Sequence, residues 1–379
     1  MRDKIDIVLV YQNNPFDNGQ GGGNIYVRNL FWQLKASDQV TVHYWGCFAR
    51  TCSEFINITN SKNYLLFWLG FSLQLIKTKF KKNTVLHFHR LYFAMTAYII
   101  IRLLRKKNVS VVTTVHGETF HNYKVNVPAL LFRLTYPVLR YVEACCLDIL
   151  KGRVCFVSQR NKEFFMDRHK SIASKILGAP VFSSMINFPA VPRAAKSNYF
   201  CMLGRLSEVK DHDFMLHTIL EYREVLQASN FTLRIFGDGE LRQVFESFIV
   251  KHKLNDLIVL EGEIANNLVP SMLTACMGLL LTSKNEAAPT VILEAIACRC
   301  PVFSTDVGFA EEVLGDTSLG RVLPKESRAF VDAILAVDEI EMNESDQVSV
   351  LEARSPLVIQ QRYIVELYES SFDIKTDLS

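Results

Sequence analysis

Two glutamates eight residues apart bracket the start of an apolar helix in Ser283-Lys284-Asn285-Glu286-Ala287-Ala288-Pro289-Thr290-Val291-Ile292-Leu293-Glu294-Ala295. Glu286 falls in the loop, where the free N–H groups and the positive dipole end of the helix also point. Pro289 suits the first helical turn, where its missing N–H would have no intrahelical partner. Glu294 lies about one turn inside, among Val291, Ile292, Leu293 and Ala295. A carboxylate in such apolar company needs hydrogen-bond donors, and sugar hydroxyls would serve. The competing reading is a solvated helix face or compensation of the helix-start charge.

Cations occupy a comparable loop. Gly204-Arg205-Leu206-Ser207-Glu208-Val209-Lys210 follows a strand and precedes a helix, and a guanidinium with an ammonium five residues later can clamp a diphosphate there. Phe236-Gly237-Asp238-Gly239-Glu240 is a second strand-to-helix turn, with two glycines that let the backbone approach a ligand. In the first half, Gly19-Gln20-Gly21-Gly22-Gly23-Asn24 follows the first strand and its Asn13-Asn14-Pro15 turn. Such glycines offer N–H groups at a helix start to an anion. The run lacks the spacing and the ribose-binding acid of a dinucleotide fingerprint, and a merely flexible loop is its alternative. His116 ends the apolar strand Val109–Val115, is followed by Gly117-Glu118, and is placed to face a ligand crevice. His87 and His89 are expected to be hydrogen-bonded inside the domain.

The elements that must position these groups alternate along the whole chain. Strands over Ile5–Tyr11, Val40–Tyr44, Thr84–Phe88, Val109–Val115 and Arg153–Val157 are separated by helices near 24–36, 64–79, 91–107, 127–150 and 160–169. Continuous apolar runs such as Ile7-Val8-Leu9-Val10 predict parallel strands covered on both faces. The pattern halts around 188–197, where Pro189 and Pro192 among small residues make a linker. It restarts with strands Tyr199–Leu203, Thr232–Phe236, Leu257–Leu260, Gly278–Leu281 and Val302–Ser304 and helices near 211–226, 239–252, 268–275 and 290–298. A final helix near 355–370 has an apolar face that must pack somewhere. The expected fold is α/β, with doubly wound, Rossmann-like domains at 1–190 and 198–352, a terminal segment 353–379, and ligands at the carboxyl ends of both sheets in a central cleft.

Composition narrows the partners. With 379 residues, 49% hydrophobic and 21% charged, the chain is neither a disordered tail nor a small disulfide scaffold. No window reaches about 18 uninterrupted apolar residues, and no secretory cleavage pattern follows Met1-Arg2-Asp3-Lys4. Nine cysteines without regular spacing are therefore expected as reduced thiols in a cytoplasm, and no metal site is expected. The net charge of +3 conceals a division: residues 1–190 carry 25 Lys and Arg against 10 Asp and Glu, and the remainder carries 17 against 29. A basic half attracts phosphates, while nucleic acid is disfavoured because no helix-turn-helix, RNP, KH or finger pattern appears. Leu130-Leu131-Phe132-Arg133, Tyr136, Leu139, Arg140 and Tyr141 mix cationic with aromatic groups, as do Lys77, Lys79, Lys81, Lys82, Arg102, Arg105, Lys106 and Lys107. Such a surface favours anionic lipid headgroups by about 1 kcal/mol per nearby charge. Core helices with solvated lysine ends, or mutual attraction of the two halves, are the alternatives.

On these residues the chain resembles the superfamily of GT-B-fold retaining glycosyltransferases, especially the nucleotide-sugar-dependent branch that builds cell-surface polysaccharides and glycolipids. The likeness covers nearly the full length and is strongest from Tyr199 to Val313. The family's E-x7-E motif is similar to Glu286 through Glu294, and its Gly-Arg-Leu with a following Lys matches Gly204, Arg205, Leu206 and Lys210. The resemblance implies that Arg205 and Lys210 hold the donor diphosphate and stabilise the leaving group, with Gly21 and Gly22 near the phosphates. It implies that Glu294 accepts hydrogen bonds from the ribose hydroxyls and that Glu286 orients the donor sugar, beside a donor-sugar loop of Ala287, Ala288, Pro289 and Thr290. Gly237, Gly262, Glu263 and Ile264 would lie near the base, and His116 on the donor-sugar side of the first domain. A UDP- or GDP-linked sugar is the implied co-substrate, with no cofactor and no bound metal. The last helix would cross back to the first domain.

Departures from the family pattern are equally specific. Ala287-Ala288 replaces a glycine after the first glutamate, and since Ala tolerates a positive φ poorly the loop is expected to sit differently around the donor sugar. Arg299 and Asp211 stand where glycines are common, the former at roughly 1 kcal/mol if left-handed, and Phe309 replaces the second residue of a Gly-Gly pair. The expected activity is retaining transfer of a hexose-type sugar to a saccharide or lipid-linked acceptor in bacterial surface polysaccharide synthesis (O-antigen, capsule or lipopolysaccharide). The expected location is the cytoplasm, peripheral on the inner face of the cell membrane. The alternatives are a catalytically silent GT-B partner subunit and a GT-B nucleotide-sugar 2-epimerase, for which Glu118 is the one further carboxylate in view.

Overall fold

The computed structural model describes residues 4–373 apart from 15, 17–21, 48–53, 62, 81–82, 118–128 and 183–196. The chain divides into two compact units, Met1–Met185 with Pro356–Ser379, and Ile186–Ser355. The first is built on six strands: β1 (Ile5–Val10), β2 (Val40–Gly46), β3 (Phe55–Asn57), β4 (Thr84–Phe88), β5 (Val109–Val115) and β6 (Val154–Phe156). They form one parallel sheet in the order β3-β2-β1-β4-β5-β6. In β1, Val10 is in register with Trp45 on one side and Phe88 on the other. Every residue of β4 and β5 is buried, as parallel strands with helices on both faces require.

The second unit repeats this plan with β7 (Phe200–Leu203), β8 (Leu233–Phe236), β9 (Ile258–Gly262), β10 (Gly278–Leu281), β11 (Val302–Ser304) and β12 (Gly320–Val322). Its order, β9-β8-β7-β10-β11-β12, is the same winding read from β9. In both sheets the chain order reverses beside the first strand, between β1 and β4 and between β7 and β10. Ligands of such sheets bind outside the carboxyl ends of the strands at that reversal.

Three features differ from the expected pattern. The edge strands β3 and β12 have only three residues each, too short to show a period. The helix expected over 211–226 is two helices, His212–Glu221 and Arg223–Ala228, broken at Tyr222 with φ −106°. The last helix starts at Pro356, widens to π geometry over Tyr363–Glu369 and resumes over Ser370–Asp373. Its apolar face packs into the first unit: Tyr363 and Tyr368 are fully buried, the Tyr363 hydroxyl pairs with that of Tyr26, and the Tyr368 hydroxyl lies 2.8 Å from His87 Nδ1.

The described cysteines are all free thiols. Three of them, far apart in sequence, meet in the core of the second unit, with Cys276 Sγ 3.3 Å from Cys201 Sγ and 3.2 Å from Cys300 Sγ. Among the described residues, no helix is long and apolar enough to cross a membrane.

Candidate active site

The loops leaving β7 and β10, the strands that flank the reversal in the second sheet, carry the charged candidates. Lys210 Nζ lies 2.5 Å from Glu286 Oε1, and Ser283 Oγ donates to the same oxygen at 3.0 Å. Backbone ties hold the loops in register: the Lys284 N–H donates to the Val209 carbonyl at 2.8 Å, and Thr282 Oγ1 to the Asp211 carbonyl at 2.9 Å. Lys210 and Glu286, expected to serve phosphate and sugar separately, are thus ion-paired. Their separation of 76 residues hides that contact in the sequence.

Glu294 is the fifth residue of the helix Thr290–Ala297 and is half-buried. Among the described residues its carboxyl has no hydrogen-bond or ion-pair partner. Burial pushes its pKa up to about 7, with the Lys210 charge pulling the other way. A carboxyl desolvated by apolar neighbours and left without donors is ready to accept them from a ligand. Pro289 turns out to precede the helix, at φ −73° and ψ 92°, and Thr290 begins it. Its fixed φ therefore shapes the entry to the helix rather than the first turn, and no side chain caps the N-terminal N–H groups.

The anticipated conflict at Ala287-Ala288 does not arise, because neither residue has a positive φ. The left-handed residue here is Gly308, at φ 57°, where an added Cβ would lie 2.3 Å from Pro289 Cδ. Phe309 has φ −107° and needs no glycine. Asp211 and Arg299 do adopt left-handed conformations, at φ 51° and 54°. Asp211 is held there by the ammonium of Lys325 and by Lys284 at 3.8 Å, and Arg299 donates to the Met342 carbonyl at 3.1 Å.

Arg205 points into solvent, paired with Glu240 at 3.1 Å. Such an exposed pair adds little stability and leaves the guanidinium free to exchange partners. Beneath it the loops after β7, β8 and β9 pack backbone on backbone. Gly237, at φ 140°, could carry no Cβ, since that atom would lie 2.0 Å from the Gly204 carbonyl oxygen. Its N–H donates to the Gly262 carbonyl at 2.7 Å, joining two of the candidate base-proximal residues. Ile264 packs partly into the core beside them, while Glu263 is exposed.

In the first unit, His116 follows β5 and is half-buried. Its Nε2 lies 2.9 Å from His89 Nδ1, the Tyr26 ring meets it edge-on at 4.7 Å, and His89 stacks on His87 at 4.5 Å. His87 is further fixed by Thr114 Oγ1 at 2.7 Å. Burial lowers the pKa of all three, His116 and His87 to about 3 and His89 well below its ordinary value. The three imidazoles are therefore neutral at pH 7. His89 is buried and hydrogen-bonded inside the first unit, as expected, and its partner there is His116. Gly22 is the first residue of the helix Gly22–Lys35, whereas Gly21 and Glu118 lie outside the described residues.

Both units are now defined by topology and by the groups at their strand ends. Residues 185–349 match the family model for glycosyl transferases group 1. The chain has the two-domain GT-B fold of such enzymes. A lipopolysaccharide outer core galactosyltransferase superposes with a TM-score of 0.69 at 16% identity, covering 97% of this chain and 99% of that one. Sucrose-phosphate synthase from Thermosynechococcus elongatus gives 0.73 at 17% identity, covering 98% and 100%. In sequence, the chain is similar to a Campylobacter jejuni N-acetylgalactosaminyltransferase named for a diphospho-undecaprenol-linked acceptor, at 27% identity over 128 residues, 34% of this chain and 33% of the relative. Matches to curated relatives of this kind span well under two thirds of those proteins. Lys210, Glu286 and Glu294 all lie inside the segment matched by the group 1 model.

Proposed function

We propose that the protein is a retaining glycosyltransferase that moves a sugar from a nucleotide-diphosphate donor, UDP- or GDP-linked, to a saccharide or lipid-linked acceptor in bacterial surface polysaccharide synthesis. The observation that carries this reading is the Lys210–Glu286 pair set beside the unpartnered, half-buried Glu294 at the reversal of the second sheet. A diphosphate arriving there gives Lys210 a doubly charged partner and frees Glu286 to accept hydrogen bonds from sugar hydroxyls. Arg205 turns from Glu240 to the same phosphates and, with Lys210, stabilises charge as the nucleotide leaves. Glu294 takes the ribose hydroxyls, and the laced loops at Gly237 and Gly262 present backbone groups to the base. His116, neutral, hydrogen-bonds the donor sugar.

The acceptor is read from chemistry of a different kind. In the helix Tyr64–Lys77, Phe67, Phe71 and Leu75 are buried while Leu65, Leu69, Leu73 and Ile76 are exposed, so the helix is apolar all round. Leu134, Val138 and Tyr141 are exposed on the helix Ala129–Ile149. With Lys77 and Lys79 nearby in sequence, these faces suit docking on an anionic bilayer that carries a lipid-linked acceptor, a class named for the Campylobacter jejuni relative.

Thermal unfolding against UDP, GDP, ADP, CMP and dTDP tests the donor reading. One diphosphate at about 100 times its Kd should stabilise by about 2.7 kcal/mol, and Arg205→Ala should abolish its shift. No shift with any of them would favour a catalytically silent subunit. Flotation with anionic liposomes tests the surface: Leu69→Glu with Leu73→Glu should release the protein, and a wild-type protein that ignores the liposomes at low salt ends that part of the proposal.

A further inference from the structure

Two neighbouring strands of the first unit are joined by a pair of matching side-chain rungs. His87 and His89 lie two residues apart at the carboxyl end of β4, and Thr114 and His116 lie two apart at the end of β5, so each pair projects to one face of the parallel sheet. His87 Nε2 meets Thr114 Oγ1 at 2.7 Å, and His89 Nδ1 meets His116 Nε2 at 2.9 Å, both across 27 residues. The first rung is fixed from its other side as well, since His87 Nδ1 lies 2.8 Å from the Tyr368 hydroxyl. His89 stacks on that anchored ring at 4.5 Å, and the Tyr11 ring meets it edge-on at 5.7 Å. His89 is therefore held against His116 by groups that never touch His116 themselves.

The second rung decides where the proton of His116 sits. Burial keeps both imidazoles neutral at pH 7, so each ring has one N–H and one bare nitrogen. One ring must donate across the rung and the other must accept. His89 is 3% exposed, and its second nitrogen, Nε2, is buried without a hydrogen-bond partner. If His116 donated, the proton of His89 would be forced onto that Nε2 as a buried N–H with no acceptor. Such orphaned donors are rarer in proteins than acceptors left unused. When His89 donates from Nδ1 instead, its Nε2 is only an unused lone pair. His116 Nε2 then accepts, and its own proton is left on Nδ1, because the bond made by one ring nitrogen sets the state of the other.

We propose that His89 is a positioning residue that fixes His116 as an Nδ1–H donor, so that the sugar group His116 meets is an oxygen acting as acceptor. Its use in transfer rests on the donor-sugar role proposed for His116, whereas the tautomer is a property of the free chain. Long-range proton–nitrogen spectra of the full chain, labelled with ¹⁵N-histidine, read that tautomer, and His116→Asn assigns its signals. Two variants of similar polarity separate positioning from packing. His89→Asn places an amide where Nδ1 stands, and His89→Gln places one where Nε2 stands, out of reach of His116; unfolding curves verify both folds. The expected result is His116 protonated on Nδ1 in the wild type and in His89→Asn, and on Nε2 in His89→Gln. With a nucleotide sugar that stabilises the chain, kcat should fall about tenfold or more in His89→Gln and recover in His89→Asn, with nucleoside diphosphate affinity unchanged in both. The proposal is overturned if wild-type His116 carries its proton on Nε2, an outcome that needs no variant to fold. It is equally overturned if the tautomer is unchanged in His89→Gln, or if kcat ignores its change. Failure of the transfer reading looks different: the tautomer follows His89 as expected, but no nucleotide sugar shifts the His116 signals.

Discussion

Glu294 makes stability itself a readout of the candidate site. Its carboxyl has a pKa of about 7 in the folded chain against an ordinary value of 4.5, so the native state holds this proton more tightly than the unfolded chain does. The contribution of the group to stability is therefore fully present below about pH 4.5 and is lost as the pH rises through about 7. The gap corresponds to ~3 kcal/mol in favour of the protonated form. Glu294→Gln keeps the shape and cannot ionise, so it should match the wild type at pH 4 and exceed it by up to ~3 kcal/mol at pH 8. Urea unfolding of both proteins between pH 4 and 8 measures this directly. Lys210→Ala removes the cation that opposes the rise, and should move the midpoint of the difference to higher pH. A constant difference between wild type and Glu294→Gln across the range would refute the desolvation argument. A nucleoside diphosphate whose ribose donates to the carboxylate should also bind more tightly as the pH rises through 7.

Three further outcomes follow from individual positions. If Glu286 orients the donor sugar as proposed, Glu286→Ala should lower transfer by about a hundredfold or more while leaving nucleotide binding intact; steady-state rates and calorimetry on the same samples check this. Gly237→Ala should destabilise the second unit by more than ~1 kcal/mol in urea, since the new Cβ would meet the Gly204 carbonyl at 2.0 Å on a backbone with φ 140°. Lys253, exposed at φ 54°, should give a gain of roughly 1 kcal/mol when changed to Gly, visible as a raised urea midpoint.

Much of the architecture was legible because long buried strands leave a strong pattern. The apolar runs of β1 and β5 and the glycines after β7 and β8 located both sheets and the turns that carry the candidate residues. The three-residue strands β3 and β12 were not, for a strand of that length has no period to detect. Glu286 and Glu294 could be picked out by spacing, but the Lys210–Glu286 pair could not, because it joins two loops that only the adjacency of β7 and β10 brings together. His89 was legible as an internal, hydrogen-bonded histidine, but its partner was hidden for a related reason. Its burial was foreseeable from the apolar strand around it, whereas its contact with His116 depends on β4 lying beside β5. The π segment at Tyr363 left no signature in composition, since its tyrosines fit any amphipathic helix.

The two sheets share one winding yet hold their polar groups in opposite electrostatic states, and this bears on which residue sets the pH dependence of transfer. Lys210 and Glu286 keep 24% and 16% of their side chains in solvent and form a close ion pair. His116 is enclosed by Tyr26 and His89, and burial brings its pKa to about 3, with Arg90 adding to the fall. A histidine in that state cannot supply the acid limb of an activity profile near neutrality; it can only donate or accept a hydrogen bond as a neutral ring. Glu294 can supply that limb, because its carboxylate forms near pH 7. Transfer should therefore decline in acid with a midpoint near 7, and the limb should persist in His116→Asn, at a reduced rate, while disappearing in Glu294→Gln. A limb that vanishes with His116 instead would mean that its imidazole takes up a proton near neutrality, and that the enclosure of the histidine cluster is far less complete than its contacts require.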